Sequence, residues 1–249
     1  MLAWQRYFQV EQEIMNRVLE TQGENIMKAA EILADTTQRG GIIYGYGVGH
    51  SHLICDDAFW RAATPANYCA LLEHSATGNT EITKSAMVEN LYGIGSAIVD
   101  YNRLTPEDCL IVISNAGNLI APVEAALRAK EKGIPVIGIA CVAYANYLPR
   151  LHKDGWNLID IADVVIDNCS LIGDAAVEIE GMETKVGSTS TVPGVLIQTA
   201  MLTQMVEILC ERGFIPDVYY NGHLARVDEK YAQHNDRIVD KYFYRIRNL

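Results

Sequence analysis

The sequence predicts an α/β fold on a parallel sheet, and three observations carry that reading. Ile42-Ile43-Tyr44-Gly45-Tyr46-Gly47-Val48-Gly49-His50-Ser51 is a short apolar run that passes into alternating glycines and ends in a polar pair. That is the pattern of a buried strand feeding the loop before a helix. Cys109–Ile113 is the clearest strand in the chain. It leads through Ser114-Asn115-Ala116-Gly117-Asn118 to a helical stretch, Pro122–Lys132, then to Gly133 and a second apolar run, Ile134–Ala140. Strand, loop, helix and strand within about thirty residues is a βαβ unit, which fixes parallel pairing with a right-handed crossover. Lastly, the hydroxyl-rich Thr189-Ser190-Thr191 opens a long apolar helix reaching Leu209, so a third polar loop meets a helix start.

From Leu2 to about Thr37, apolar residues recur at helical steps, with Gly23 marking a break between two helices. Strands are expected at about 41–45, 67–71, 109–113, 135–140 and 163–167, with the strands ending at Gly45 and Ser114 in the centre. His52–Trp60 has a helical composition, and Thr80–Tyr101 carries a helix with a break near Gly93 and Gly95. Val177–Ile179 reads as a small edge strand. The tail from Pro216, with a helix candidate at Tyr231–Arg247, is rich in charge and aromatic residues and suits packing over a site or an interface. Linkers rich in Pro, Gly or Ser are absent, so residues 1–249 are expected to form a single domain, with a helical extension at about 1–37 and a tail at about 216–249.

Acidic residues outnumber basic ones by 31 to 20, giving a net charge of −11. That balance speaks against general binding to nucleic acid or an anionic membrane. No run approaches the length of a membrane span, and Trp4, Gln5, Arg6 and Tyr7 interrupt any apolar leader, so the cytoplasm is the expected location. The six cysteines form no C-x-x-C pair, which favours buried thiols over disulfides or zinc.

Gly47 and Gly49 allow a sharp turn that brings N–H groups close to an anion at a helix start, although a purely structural turn needs small residues too. The hydroxyls of Ser190 and Thr191 coincide with the free amides of another helix start. His50 lies inside the presumed ligand loop, and His223 follows Asn221-Gly222 in the tail; either could be a ligand contact or a local hydrogen-bonding residue. A metal site on His50, His52, Asp56 and Asp57 is disfavoured, because a helix there points the two histidines apart. The G-x-G-x-G spacing lacks the third glycine of the dinucleotide fingerprint. No metal and no cofactor are expected.

Gly47-Val48-Gly49-His50-Ser51, Phe59-Trp60-Arg61-Ala62, Ile111-Val112-Ile113-Ser114-Asn115-Ala116-Gly117 and Gly187-Ser188-Thr189-Ser190-Thr191, in that order, resemble the SIS (sugar isomerase) domain. The likeness is strongest to its single-domain phosphosugar-binding branch, and runs from about residue 20 to 245. It implies a three-layer αβα sandwich with a five-stranded parallel sheet of flavodoxin-like topology, a homodimer, and a sugar phosphate held at strand ends near the subunit interface. By position, phosphate binding falls to Ser51, Ser114, Asn115 and Gly117, with Asn118 in the same loop. Ala116 stands where a second serine is usual, and Leu119 where relatives have a polar side chain. The resemblance also points to Glu89 as a catalytic acid or base, with Glu81 as the competing carboxylate; His50 and His223 are the further catalytic candidates, and His74 is read as ending a strand near the ligand. Two functions follow from it. One is a phosphosugar isomerase or related lyase acting on an aldose, ketose or amino-sugar phosphate; the other is a phosphosugar sensor that binds without turnover.

Overall fold

The computed structural model describes residues 1–79 and 81–249. Two helices, α1 (Ala3–Thr21) and α2 (Gly23–Gln38), precede the first strand, β1 (Ile43–Gly47). The chain continues through α3 (His52–Ala58), β2 (Tyr68–Leu71), α4 (His74–Thr77), α5 (Ile82–Val88), α6 (Ile94–Tyr101) and β3 (Cys109–Ile113). Then come α7 (Ile120–Glu131), β4 (Val136–Ala140), α8 (Val142–Tyr147), α9 (Leu158–Ile161), β5 (Val164–Asp167), α10 (Thr191–Glu211) and α11 (Lys230–Tyr242). The strands form one parallel sheet in the order β2-β1-β3-β4-β5.

Both faces of this sheet are covered, which is why its strands read as continuous apolar runs rather than as alternation. Ile111 and Ile113 point to the layer built from α1, α2, α3 and α10, against Leu33, Ile54, Ile197 and Met201. Leu110 and Val112 point to the other layer, against Val99, Val123, Ala126 and Leu158. Each of the buried Val, Leu, Ile and Met side chains among them is worth about 1.5–3 kcal/mol relative to exposure. The apolar helix α10 is a core helix of this kind, with Ile197, Met201, Met205 and Leu209 all fully buried.

Four of the five strands lie within a residue or so of their expected places, and β1 ends two residues later than expected. Gly45 belongs to the strand because its bare Cα makes room for a neighbour: a Cβ there would lie 2.0 Å from the Tyr68 hydroxyl. That phenol is buried and donates to Gln198 Oε1 at 3.1 Å. The break foreseen after α5 falls at Gly93, whose φ of +92° a side chain would strain. Thr80, where that helical stretch was expected to begin, lies outside the described residues. Val177 makes only an isolated antiparallel bridge, to Val186. Five of the free cysteines are buried and Cys210 is exposed.

The tail packs along the edge strand β2. Ala63 donates to the Tyr219 carbonyl at 2.8 Å and Tyr219 to that of Thr64 at 3.2 Å, docking the segment beside the start of β2. Beyond α11, Arg245 reaches Asp108, just ahead of β3, at 2.9 Å, and Asn248 donates to the Ala70 carbonyl of the edge strand β2 at 2.9 Å.

Gly45→Ala should destabilise the protein by about 1–3 kcal/mol, because the new methyl must displace a buried phenol. Urea denaturation measures this, and a loss under about 0.5 kcal/mol would contradict the packing role. The loss should shrink on a Tyr68→Phe background.

Candidate functional site

Sheet order reverses between β1 and β3: the chain leaves β1 toward β2 on one side and returns to β3 on the other. The crevice at the carboxyl ends of two such strands is where open α/β sheets bind ligands. Here it is a cavity of about 190 Å³, lined by Gly49, His50, Ser51, Glu89, the loop from Ser114 to Ala116, and Asn168, Asp174, Ser190 and Thr191. Larger hollows of about 430 and 460 Å³ lie against β2 and beside Trp60. They lack this convergence of loops from several strand ends.

Gly47 closes β1 where a Cβ would sit 2.8 Å from the Ser51 carbonyl, so the glycine lets the Gly49–Ser51 turn fold back on the strand. Gly49 takes φ +51°. A Cβ on it would lie 3.6 Å from Glu89 Oε2, which places the Glu89 carboxylate directly over the turn. Glu89 follows α5, and its carbonyl accepts from the Ala121 amide at 3.0 Å, tying it to the start of α7. The side chain is half-buried, and that burial raises its pKa above the ordinary 4.5.

On the β3 side, Ser114 is 3% exposed. Among the described residues its hydroxyl, and the amides of Asn115 and Ala116, have no protein acceptor. The Asn115 carboxamide is oriented by its oxygen, which accepts from Asn168 Nδ2 at 3.0 Å and from the Ser170 hydroxyl at 2.8 Å. Its NH₂ is therefore the free end. Gly117 and Asn118 support this loop without lining the cavity. A Cβ on Gly117 would lie 2.3 Å from Asn157 Oδ1, and Asn118 is buried with its amide on the Pro149 carbonyl at 3.3 Å.

Opposite stands Asp174, a non-glycine residue at φ +53°. Its Oδ1 accepts from the Thr189 amide at 2.8 Å and hydroxyl at 3.0 Å, and its Oδ2 from the Ser190 hydroxyl at 3.0 Å. The expectation that Ser190 caps α10 and offers its O–H to an anion is thereby corrected. The proton is committed to Asp174, and the side chain makes no cap bond. The amides of Thr191 and Val192 at the helix start remain open, as first-turn amides do.

His50 lies exposed at the cavity rim. His223 is elsewhere, in the hollow with Trp60, Tyr220 and Arg226, because the tail docks beside the start of β2 rather than at the ends of the strands. His52, paired with His50 in the disfavoured metal reading, is buried and its Nδ1 meets the Gly49 carbonyl at 2.5 Å. Asp174 and Asn168 are the lining residues that sequence reasoning missed. The only local signal for Asp174 is the turn Ile172-Gly173-Asp174.

This geometry defines a doubly wound α/β protein with a hydrogen-bonding pocket at its switch point. The chain belongs to the SIS domain family, whose model matches residues 6–141. It is 33% identical over 247 residues to a UPF0309 protein of Geobacillus sp. (strain WCH70), covering 97% of this chain and 96% of the relative. A UPF0309 protein of Geobacillus kaustophilus is 32% identical over 241 residues, covering 97% and 94% of the two chains. Among solved structures, a phosphoheptose isomerase from Francisella tularensis shares the fold with TM-score 0.51 and 16% identity, over 83% of this chain and all (100%) of that one. The Vibrio vulnificus NanR protein complexed with ManNAc-6P does so with TM-score 0.51 and 13% identity, over 94% and 67% of the two chains.

A carboxylate raised by burial costs stability once ionised. The folded state holds the proton to higher pH than the unfolded chain, so this contribution is full below the unfolded pKa and lost as pH rises to the folded one. Glu89→Gln should therefore raise Tm relative to wild type at pH 8, with the gap closing toward pH 4.5. A thermal melt series checks this, and an equal or lower Tm at pH 8 would contradict the desolvated carboxylate.

Proposed function

We propose that this chain binds a sugar phosphate in the switch-point cavity and isomerises it between aldose and ketose forms. One observation carries the reading: a half-buried carboxylate, Glu89, stands over a glycine turn beside a loop whose donors face the cavity with no acceptor among the described residues. A dianion needs several aligned donors, and the Ser51 and Ser114 hydroxyls, the Asn115 and Ala116 amides and the start of α10 supply them without a Lys or Arg. The α10 dipole adds about 0.3–1 kcal/mol, and up to about 2 when partly buried. Since Ala116 offers only its amide, this loop grips phosphate mainly through the backbone and Ser114.

Isomerisation through an enediol needs a base at the carbon beside the carbonyl. A carboxylate raised toward the working pH suits that step. Glu89 takes this role, and His50 at the rim moves a proton between the sugar oxygens. The fold shared with a phosphoheptose isomerase and with a ManNAc-6P complex accords with the ligand class. The buried free thiols suit a reducing cytoplasm.

The protein also forms a homodimer in this reading. Trp4 and Phe8 of α1, Leu53 of α3, and Val192 and Leu196 of α10 leave large apolar side chains exposed. Any catalytic part for His223 then lies in the neighbour's cavity. Sedimentation showing only a 27.6 kDa species at micromolar concentration would contradict the dimer.

The functional test is a phosphosugar library screened for thermal shift and turnover, followed by two variants. Ser114→Ala should weaken binding of the phosphorylated sugar about 10- to 100-fold, the worth of a hydrogen bond to a charged group. Glu89→Gln should keep affinity within about 3-fold and lower kcat by about 10² or more. Unchanged affinity in Ser114→Ala removes the phosphate assignment. Full turnover in Glu89→Gln removes the base, and binding without turnover in wild type makes the protein a sensor.

A further inference from the structure

Helix α1 buries a stripe made of Glu11, Ile14 and Val18. A carboxyl group at the head of an apolar stripe is out of place. Glu11 is 5% exposed, and among the described residues neither of its oxygens has a hydrogen-bond partner. Native proteins leave few buried polar groups unpaired, so each such group calls for a physical reason. The titratable groups that bear on Glu11 are Tyr7, one turn earlier on the same face of α1, and Asp174 in the loop after β5. Among the described residues, α2 and α10, which also pack on α1, bring none, and no Lys or Arg pairs with it. Burial therefore raises the carboxyl above its ordinary 4.5, the Tyr7 hydroxyl pulls against that rise, and the charge of Asp174 adds to it. Tyr7 is pushed up in turn to about 12, by burial first and then by Glu11.

The same face of α1 clamps one wall of the switch-point cavity. Tyr7 donates its single proton to the Ser188 carbonyl at 2.7 Å, and its ring lies over Gly187, where a Cβ would come within 2.7 Å of Cδ2. The next two residues, Thr189 and Ser190, are held from the other side by Asp174. Ser190 and Thr191 line the cavity. Tyr7 and Asp174 thus fix residues 187–190 between them, and Glu11 acts on both. A carboxylate is a stronger acceptor than a carbonyl, so an ionised Glu11 competes with Ser188 for the one phenol proton. It also repels Asp174, because like charges in partly desolvated surroundings are poorly screened.

We infer that Glu11 is a proton-operated latch on the cavity wall. While Glu11 is protonated, Tyr7 holds Ser188 and keeps the start of α10 in place. When that proton passes to solvent, the phenol turns to the carboxylate, Asp174 is repelled, and residues 187–191 loosen. The folded chain holds the Glu11 proton to higher pH than the unfolded one, so the latch contributes fully below the ordinary 4.5 and is lost as pH rises through the raised folded value. It works whichever ligand the cavity takes.

The test is hydrogen exchange on the ligand-free full chain, corrected for the intrinsic rate at each pH and referred to α7, with the Glu11 titration followed through its ¹³C-labelled carboxyl resonance. As pH rises across the Glu11 midpoint, protection of α1 and of residues 186–192 in wild type should fall about 10-fold or more relative to α7. Glu11→Gln, which cannot ionise, should keep its protection on both sides of that midpoint. Tyr7→Phe, which removes the bond to Ser188, should loosen residues 186–192 at every pH and abolish the step there. Protection that stays level across the midpoint in wild type overturns the latch, as does an equal fall in a folded Glu11→Gln or a Glu11 midpoint at or below 4.5. The wild-type titration decides even where a variant fails to fold.

Discussion

The pairing of β1 with β3 is the constraint on which the site depends. The two strands run parallel with Gly47 opposite Ile113, so both end at the same height. The chain beyond β1 passes to β2 at one edge of the sheet, while the chain beyond β3 passes to β4 toward the other. Two loops must therefore diverge above one edge of the sheet, and the space between them cannot be filled by either crossover helix. Gly47 and Gly49 fold one loop back onto its strand, and Ser114 begins the other. The burial of both sheet faces holds this pairing rigid, so the donors stand on a fixed frame.

A second feature governs what that frame can hold. Asp174 ties the segment Thr189–Ser190 to the loop after β5 through three hydrogen bonds, and in doing so turns the start of α10 toward the cavity. The same bonds consume the Ser190 proton. Anion-binding capacity on that side then comes from backbone amides, while the side chains present negative charge and lone pairs.

Much of the fold was legible because burial on both faces leaves a strong apolar signal, as in Cys109–Ile113, which matches its expected span. The start and end of β1 were less so. The expected strand ends at Gly45, whereas β1 runs on to Gly47, and Gly45 sits inside it against Tyr68, a contact with a residue 23 positions on in the sequence, visible only once the strands are paired. The loops carrying Ser51, Ser114 and Ser190 were legible in kind, and they do converge. The role of Asp174 was not, since it depends on a left-handed turn and on partners 15 and 16 residues away. His223 carried a plausible local sequence, but two backbone hydrogen bonds to the Ala63–Thr64 segment hold its neighbourhood at the other end of the sheet.

The central claim is that a phosphorylated ligand enters between the loops after β1 and β3. Backbone amide chemical shifts, followed in the folded protein while a sugar phosphate that binds is titrated in, test it most directly. The account predicts saturable shifts concentrated at Gly49–Ser51, at Asn115 and Ala116, and at Thr191 and Val192. Shifts confined instead to the hollow beside Trp60 or to the groove against β2 would contradict it.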